Sequence, residues 1–453
     1  MHKKESLTRR EFIGKTTLLA SAATAAAGIT NVRGQINNAR FPLPATLRVG
    51  FIGVGMRGVE LLTATRNIYG IDSVVAADLY KGHLDRALEL TDRKIEVTGG
   101  YEDILARDDI DAVVVAVPEH QHKRVYLDSL KAGKHVYMEK PLTYKLDEGE
   151  DLIRAADKSK KIVQVGSQTL SAKCAEKARK LVQSGKLGKV TLVEAIIYRP
   201  NSQSACYYPI PPDAGPDTID WERFIVDSPR CEFDPIRFFQ WRLFWDYSGG
   251  LTTDLFVHLV TATHYIMGVR APSAVACFGG IYNWKDYREV PDQIAAMVTY
   301  PEEFMLKLTT SVNNGHPEPL ITFYGTEGTL EYNGDSMTYF HEPVQENFWW
   351  SINSYPAETR EKLKKIMNLD DNMRPITGAP AIAEKPVKYT VSGGEDATTA
   401  HLRNFFDSIR DGTEPIEDIR AGVDAVNVGH MVNISCKSGK IVRWNAKSKK
   451  VEV

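Results

Sequence analysis

The chain has 453 residues, of which 43% are hydrophobic and 25% charged, and its formal net charge is −2. This length leaves room for two domains, and the composition is typical of a soluble globular protein. The charge balance argues against nucleic acid or an anionic membrane as a partner, because binding to either needs a strongly basic surface. The five cysteines form no CxxC pair, so the sequence predicts neither a zinc site nor a redox pair.

The N-terminus differs from the rest of the chain. Arg9 and Arg10 are followed by Phe12 and then by an apolar, alanine-rich run over residues 16–28. A charged start, a short apolar run and small residues predict a signal peptide, and the paired arginines resemble the twin-arginine type. The run is shorter than the roughly 20 residues that cross a bilayer, so we expect no membrane anchor. We therefore expect residues 1–33 to direct export to the periplasm or beyond.

A strand-helix alternation begins after a predicted linker over residues 34–45. Four short apolar runs alternate with helical segments, which is typical of a doubly wound parallel sheet covered on both faces. We therefore predict an α/β dinucleotide-binding domain of the Rossmann type over residues 46–168. The predicted strands are 47–52, 74–77, 112–117 and 134–138, and the predicted helices include 82–91 and 123–132.

The second half of the chain is richer in β-branched and aromatic runs. We predict an α+β domain over residues 169–453, built on a large, open, mostly antiparallel sheet. Residues 341–390 are expected to form a loop-rich insertion with one helix over 357–367, and a helix over about 397–411 ends before Gly412. The predicted strands are 190–198, 273–278, 295–300, 305–311 and 320–324, with helices over 172–184 and 252–267.

The sequence from Gly53 to Gly58 reads Gly-Val-Gly-Met-Arg-Gly and lies between the first strand and a helix. Glycines at this spacing allow a tight turn and close approach of the backbone to a pyrophosphate. Asp78 follows the second strand at the distance expected for an acid that binds ribose hydroxyls, which favours NAD over NADP. The predicted cofactor-binding residues here are Gly53, Gly55, Met56, Arg57, Gly58 and Asp78.

Two further strands end in polar residues. Pro118-Glu119-His120-Gln121-His122 follows the third strand, and Glu139-Lys140-Pro141 follows the fourth. Carboxyl ends of strands face the ligand crevice of such a sheet, so we expect Pro118, His122, Glu139 and Lys140 to line the cofactor site. The two histidines are interpreted as solvated loop residues or as one residue lining that site, because no third metal ligand is evident.

Gly249-Gly250 precede a predicted helix that carries Asp254 and His258 four residues apart, on one face. We expect Thr252 or Thr253 to cap this helix. A carboxylate beside an imidazole can orient it during oxidation of an alcohol. His264 is six residues from His258 and points to another face.

An aromatic run over residues 238–247 precedes these glycines. Arg242, Trp245 and Asp246 within it have the side chains that bind sugar rings, although core packing explains the apolar part of the run equally well. These three residues are the predicted substrate-binding group.

These motifs together resemble the glucose-fructose oxidoreductase, inositol 2-dehydrogenase and MocA family (Gfo/Idh/MocA), in particular its exported branch. The resemblance runs from about Leu47 to Trp444. It rests on the glycine motif, Glu139-Lys140-Pro141, the Asp254/His258 pair, the turn over 325–328 and His401-x-x-Asn404-Phe405. Many relatives have a second acid at the position of Thr261, so the resemblance does not extend to the substrate contacts.

The resemblance implies a nicotinamide-dependent oxidoreductase that transfers a hydride between NAD(P) and a secondary hydroxyl of a sugar, polyol or glycoside. It implies that Lys140 stabilises the alkoxide, that His258 takes the hydroxyl proton, and that Asp254 orients the hydroxyl or the base. Two alternatives remain: an NAD-dependent glycoside hydrolase using transient oxidation and elimination, and a non-catalytic sugar-binding protein. We also expect tightly bound cofactor, since an exported enzyme has no large NAD pool, and a homo-oligomer formed through the second sheet.

Overall fold

The computed structural model describes residues 46–203, 205–342, 347–376 and 385–453. The predicted signal peptide and linker, residues 1–45, lie outside the described residues. Within these ranges, no helix combines the length and apolarity that a membrane crossing requires.

The N-terminal half forms the predicted parallel sheet of six strands, in the order β3-β2-β1-β4-β5-β6. Its central strands are apolar on both faces, because helices cover both sides. The strands are β1 (Leu47–Ile52), β2 (Ile71–Ala77), β3 (Glu96–Thr98), β4 (Ala112–Val115), β5 (His135–Glu139) and β6 (Val163–Gly166). The helices are α1 (Met56–Thr65), α2 (Lys81–Leu90), α3 (Tyr101–Leu105), α4 (His122–Lys131) and α5 (Gly149–Ser159).

The C-terminal half contains a ten-stranded sheet in the order β14-β13-β12-β11-β7-β10-β9-β8-β15-β16. Among the described strand pairs of this sheet, only β7/β10 is parallel, which confirms the mostly antiparallel prediction. The strands are β7 (Val190–Tyr198), β8 (Ala274–Gly280), β9 (Gln293–Thr299), β10 (Met305–Ser311), β11 (Ile321–Gly325), β12 (Gly328–Tyr332), β13 (Ser336–His341), β14 (Val387–Thr390), β15 (Val442–Asn445) and β16 (Lys450–Glu452).

Helices cover one face of this sheet. Buried residues alternate with exposed ones along β9, so the opposite face of that strand is open. The helices of this half are α6 (Ala175–Gln183), α7 (Trp221–Phe224), α8 (Pro235–Phe239), α9 (Val257–Met267), α10 (Trp349–Ile352), α11 (Ala357–Ile366), α12 (Ala397–Asp411) and α13 (Ile419–Ser438). Helices α6, α9 and α13 contribute buried side chains to the core beneath the sheet.

The helix α12 packs on the parallel sheet, although the sequence assigned it to the substrate domain. Its buried residues Leu402, Phe405 and Phe406 join the cluster formed by Val49 and Tyr137. Their spacing of three and four residues makes one apolar stripe, which packs on the same sheet face as α1. Helix α12 therefore packs on the N-terminal sheet although it follows residue 168 in the sequence.

The insertion after β13 contains the predicted helix, as α11, and ends in a strand that the sequence did not predict, β14; the strands β12 and β13 before it were also not predicted. β12, β13 and β14 extend the large sheet at one end. Their side chains are a mixture of polar and aromatic residues, and this mixture obscured the alternation that identifies a half-buried strand.

Candidate active site

Two glycines of the motif after β1 occupy positions that exclude any side chain. Gly53 has a φ of +83°, and a Cβ there would lie 2.6 Å from the Ala116 carbonyl oxygen. A Cβ on Gly58 would lie 2.1 Å from the Gly53 carbonyl oxygen. The turn leads directly into α1 at Met56, so the first N–H groups of that helix are free to bind an anion. This cradle fits the pyrophosphate of a dinucleotide.

Asp78 lies immediately after β2 and holds the glycine turn. One carboxylate oxygen accepts a hydrogen bond from the Val54 N–H at 2.8 Å. The other accepts from the Tyr80 N–H at 2.9 Å and contacts the His83 imidazole at 3.1 Å. Asp78 also lines the cavity described below, so the position agrees with the predicted ribose contact, which stays a prediction.

Arg57 and Glu139 bind each other across the cofactor edge of the sheet. The Arg57 Nε donates to Glu139 Oε1 at 2.7 Å, and its Nη1 donates to Glu60 at 2.9 Å. Both residues line the cavity, as predicted, but their opposite charges are paired with each other. The pair ties the glycine turn to the end of β5.

His120 and His122 are both buried, so the prediction of solvated histidines is wrong. The ring of His122 lies between the carbonyl oxygens of Val117 and Pro141, at 2.9 and 2.7 Å. His120 contacts the Phe224 carbonyl oxygen at 2.7 Å. His122 lines the cavity and holds the ends of two strands together. Among the described residues, no three His, Cys, Asp or Glu side chains form a potential metal site.

Glu119 is a site residue that the sequence analysis missed. Its buried carboxylate accepts hydrogen bonds from the Ser248 hydroxyl, the Gly249 N–H and the Thr253 hydroxyl, each at 2.8 Å. Burial raises the pKa of Glu119 to about 7. Its place directly after Pro118, at a strand end, was the available signal. Glu119 attaches the glycine pair of the second domain to the parallel sheet.

The helix that carries Asp254 begins with a wide turn. Residues Thr252–Phe256 form a π-helical turn, and α9 follows from Val257. The predicted threonine cap is therefore wrong. The Thr252 hydroxyl donates backward to the Gly249 carbonyl oxygen, and that of Thr253 donates to Glu119. π-turns of this kind are frequent at functional sites, because they redirect a side chain without ending the helix.

Lys140 and Asp254 form an ion pair at the centre of the site. The Lys140 ammonium donates to the Asp254 carboxylate at 2.9 Å and to its carbonyl oxygen at 2.8 Å. The Arg242 Nε approaches the same carboxylate at 3.5 Å. Burial alone would raise the pKa of Asp254, but Lys140 and Arg242 hold it well below its usual range. Asp254 is therefore ionised, and its cationic neighbours are on both domains.

His258 lies one turn beyond Asp254 and also lines the cavity. Burial, together with the charge of Lys140, lowers the pKa of His258 well below its usual value. The ring is therefore neutral and can accept a proton. Its Nδ1 has no hydrogen-bond partner among the described residues. Asp254 pairs with Lys140 and not with this ring, so the carboxylate does not orient the imidazole as one interpretation of the sequence proposed.

His264 lies away from this site, as its spacing indicated. It is buried in the second domain, where its Nε2 lies 2.8 Å from the Tyr300 hydroxyl. It is not among the cavity residues.

Of the three predicted substrate-binding residues, the structure brings only Arg242 to the cavity. Asp246 forms an ion pair with Arg237 at 2.8 Å. The Trp245 ring lies against the Lys437 ammonium, 3.5 Å from the ring centre. These two residues follow the last 3₁₀ turn of the aromatic run, where the chain has already turned away from the site.

The cavity has a volume of about 780 Å³ and lies between the carboxyl ends of the parallel strands and the second domain. This volume suits a large ligand. Every predicted cofactor-binding and catalytic residue except Gly58 lines it. A further part of the cavity wall is formed by Phe238 and Phe239 of the aromatic run and by residues that the sequence did not identify, namely Arg199, Asn201, Gln203, Tyr208, Pro209 and Pro211.

Much of this wall belongs to one segment, residues 205–247, which we call the covering segment. It binds the parallel sheet beyond the ends of both β2 and β4. At the β2 end, the Lys81 N–H donates to the Thr218 carbonyl oxygen at 3.0 Å, and the Tyr80 hydroxyl donates to Asp213 at 2.6 Å. At the β4 end, Arg124 donates to Asp227 at 2.7 Å. The covering segment is therefore bonded to the parallel-sheet domain at two places.

Two family models match this chain: the NAD-binding Rossmann fold of the Gfo/Idh/MocA oxidoreductases over residues 47–167, and the C-terminal domain of the same group over residues 175–331. The chain belongs to the Gfo/Idh/MocA family. The comparison thus assigns NAD binding to the domain whose glycine turn is described above.

The curated relatives match over a limited part of their length. An alpha-N-acetylgalactosaminidase of Shewanella oneidensis is 31% identical over 128 residues, which are 26% of this chain and 28% of the relative. A glycosyl hydrolase family 109 protein of a Shewanella strain matches to the same extent.

Solved structures share the fold over most of the chain. A levoglucosan dehydrogenase in complex with NADH and levoglucosan has a TM-score of 0.64 at 17% identity, covering 88% of this chain and 99% of that one. An aldose-aldose oxidoreductase of Caulobacter crescentus has a TM-score of 0.63 at 18% identity, with the same coverage.

Proposed function

We propose that this protein is a nicotinamide-dependent oxidoreductase that acts on a secondary hydroxyl of a sugar, polyol or glycoside. The observation that carries the proposal is the buried Lys140–Asp254 pair, with neutral His258 beside it, in the cavity that the glycine turn also lines. The levoglucosan dehydrogenase and the aldose-aldose oxidoreductase share the fold and act on sugars by their names.

The two domains contribute different groups to cofactor binding and to the reaction. Gly53, Gly58 and Asp78 would hold the dinucleotide, which when bound supplies acceptance or donation of a hydride. Lys140 places a positive charge where an alkoxide forms, and neutral His258 accepts the hydroxyl proton. Asp254 fixes the Lys140 ammonium and leaves one carboxylate oxygen for a substrate hydroxyl.

A redox-neutral glycoside hydrolase is the second candidate. The match to an alpha-N-acetylgalactosaminidase favours it. Such an enzyme would use the same Lys140 and His258 for a transient oxidation that precedes elimination of the leaving group. A non-catalytic sugar-binding protein is the third candidate, and the intact Lys140, Asp254 and His258 argue against it.

One screen separates these candidates. Purified protein is incubated with sugars, polyols and glycosides, and the products are analysed by mass spectrometry. Loss of two hydrogens identifies the oxidoreductase, and gain of a water with release of free sugar identifies the hydrolase. An unchanged mass for every compound, in protein shown to contain the cofactor, would contradict both enzymatic proposals.

We also propose that NAD is preferred over NADP and is held tightly. The support for retention is the covering segment, which lines the cavity and is bonded to the parallel-sheet domain at two places. An enzyme that keeps its cofactor must restore its redox state in each cycle, either by reducing a second substrate or by redox-neutral hydrolysis.

Export through the twin-arginine pathway is proposed from the sequence of residues 1–33. This route carries folded proteins, so the cofactor can cross the membrane inside the cavity. Replacement of Arg9 and Arg10 by lysine should leave the full-length precursor in the cytoplasm. Normal amounts of the double variant outside the inner membrane would contradict this pathway.

We further propose a homo-oligomer formed through the open face of the large sheet. Phe278, Met297 and Met305 lie on β8, β9 and β10 and are 82%, 37% and 44% exposed. Exposed apolar side chains on adjacent strands are typical of protein interfaces. Light scattering of the wild type and of Phe278→Glu tests this proposal, and a monomeric wild type would contradict it.

A further inference from the structure

The reaction end of the cavity contains more cationic than anionic side chains. Lys140, Arg199 and Arg242 all line it, and all three lower the pKa of Asp254. Asp254 balances one of the three positive charges. Glu119 is buried behind the glycine pair and has a pKa of about 7, so its charge is incomplete at neutral pH.

The other carboxylate near Lys140 does not remove this excess. Glu139 is buried and paired with the Arg57 guanidinium at 2.7 Å. Arg57 also pairs with Glu60, whose side chain is 65% exposed to solvent, so the buried charge of Glu139 is balanced by Arg57 and not by Lys140. At least one positive charge therefore remains uncompensated among the described residues at this end.

Arg242 is oriented to bind an anion. Its guanidinium stacks 4.1 Å from the centre of the Trp241 ring, and the side chain is 22% exposed. Beyond the long 3.5 Å contact to Asp254, it has no hydrogen bond to a described residue. A guanidinium presents several N–H donors in a rigid fork that matches a carboxylate. The stacked ring fixes this fork while leaving its donors available.

Arg199 adds a second cation from another direction. It directly follows β7, its side chain is exposed, and its charge acts on both Asp254 and His258. Its backbone N–H is bonded to the Ser311 carbonyl oxygen at 2.9 Å, which fixes the base of the side chain at the cavity wall. Among the described residues, no carboxylate forms an ion pair with it.

We infer that the substrate is an anionic sugar, whose carboxylate or sulfate ester binds Arg242 and Arg199 while the reacting hydroxyl faces Lys140 and His258. This inference rests on the proposed function and narrows its substrate class. The competing explanation is that the cations act only on the alkoxide formed during the reaction. That explanation predicts an effect on turnover alone, whereas an anion site also changes binding before any reaction.

The test measures binding and turnover separately. Calorimetry on the cofactor-containing protein compares methyl glucoside with methyl glucuronide, methyl galactoside with methyl galacturonide, and glucose with glucose 6-sulfate. The anionic member of at least one pair should bind ten times more tightly or better, and added salt should reduce this advantage. Comparison of the two uronides with glucose 6-sulfate identifies whether a carboxylate or a sulfate ester is bound.

Variants locate the site. Arg242→Gln and Arg199→Gln should each reduce the ratio of anionic to neutral binding, and the exposed position of Arg199 makes its variant safe for folding. Arg230→Gln is the matched control, because Arg230 is 85% exposed and lies outside the cavity residues; it should leave the ratio unchanged.

Equal binding within every pair, or no binding of any anionic member, would overturn the inference. Equal binding with oxidation of the neutral sugars would overturn it and leave the proposed function intact. Preferential anionic binding without any oxidation or hydrolysis would support the anion site and contradict the proposed function.

Discussion

The two ends of the cavity are assembled in different ways. At the nucleotide end, the Val54 N–H donates a hydrogen bond to Asp78, which is only 24 residues away in the same strand-helix-strand unit. At the reaction end, Lys140 and Asp254 are 114 residues apart and belong to different domains. The first arrangement forms as soon as the parallel sheet folds, whereas the second exists only when the domains are packed together. Substitutions at the reaction end should therefore abolish chemistry without releasing the nucleotide.

The largest effect is expected at the reaction end. Lys140→Ala and His258→Ala should each reduce turnover by about 100-fold or more, because each removes a charge stabiliser or a base. Cofactor content, measured after denaturation, should fall far less, since the glycine turn is unchanged. The matched control is His264→Ala, which removes a buried histidine of the same helix outside the cavity. Equal losses of turnover for His258→Ala and His264→Ala would show that the wrong histidine was chosen.

Glu119, which joins the two domains, should make the free energy of unfolding depend on pH. Its pKa rises from 4.5 to about 7 in the folded state, and one pKa unit corresponds to about 1.4 kcal/mol. Because the folded state favours the protonated form, the stability from this group is complete below about pH 4.5 and is lost as pH rises to about 7. The loss amounts to roughly 3 kcal/mol.

Denaturant unfolding of the wild type and of Glu119→Gln across this pH range measures the effect. The variant should lack this component of the pH dependence, because an amide does not titrate. If both proteins lose the same free energy of unfolding between these pH values, Glu119 is not the group responsible.

A smaller effect is expected at the nucleotide end. Asp78→Ala should lower the preference for NAD over NADP by about tenfold, which is the value of a hydrogen bond to a charged group. Asp78→Asn removes the negative charge but keeps the contact to Val54, because the amide oxygen can still accept a hydrogen bond from that N–H. It therefore distinguishes the effect of the charge from the effect of the contact. Competitive calorimetry measures the ratio of NAD affinity to NADP affinity for each variant and for the wild type. Tighter binding of NADP than of NAD by the wild type would contradict the assignment of Asp78 to the ribose.

The same contrast between local and long-range contacts explains which parts of the fold could be predicted from the sequence. The strands over 47–52, 190–198 and 305–311 have the predicted bounds, because each is a run with its own apolar or alternating pattern. The glycine requirement is only partly local: a Cβ on Gly58 would meet the Gly53 carbonyl oxygen of the same unit, whereas a Cβ on Gly53 would meet Ala116, which follows β4.

The features that were not predicted from the sequence depend on the tertiary fold and not on their neighbours along the chain. The strand-end position of Glu119 was a signal for the site, but its partner Ser248 is 129 residues away, so its burial and bonding could not be predicted from its neighbours in the sequence. The π-turn at Thr252–Phe256 was predicted as an ordinary helix, because apolar spacing over one turn does not distinguish the two. Trp245 and Asp246 have the residue types that bind sugars, but only the path of the chain after Arg242 decides where they lie.

The most direct test of the account is the nucleotide content of the purified protein. The protein is isolated without added cofactor and denatured, and the supernatant is assayed for NAD(H) and NADP(H). The cavity between the glycine turn and the covering segment predicts close to one nicotinamide dinucleotide per chain, mostly NAD(H). A content near zero, with activity wholly dependent on added cofactor, would contradict retention by the covering segment.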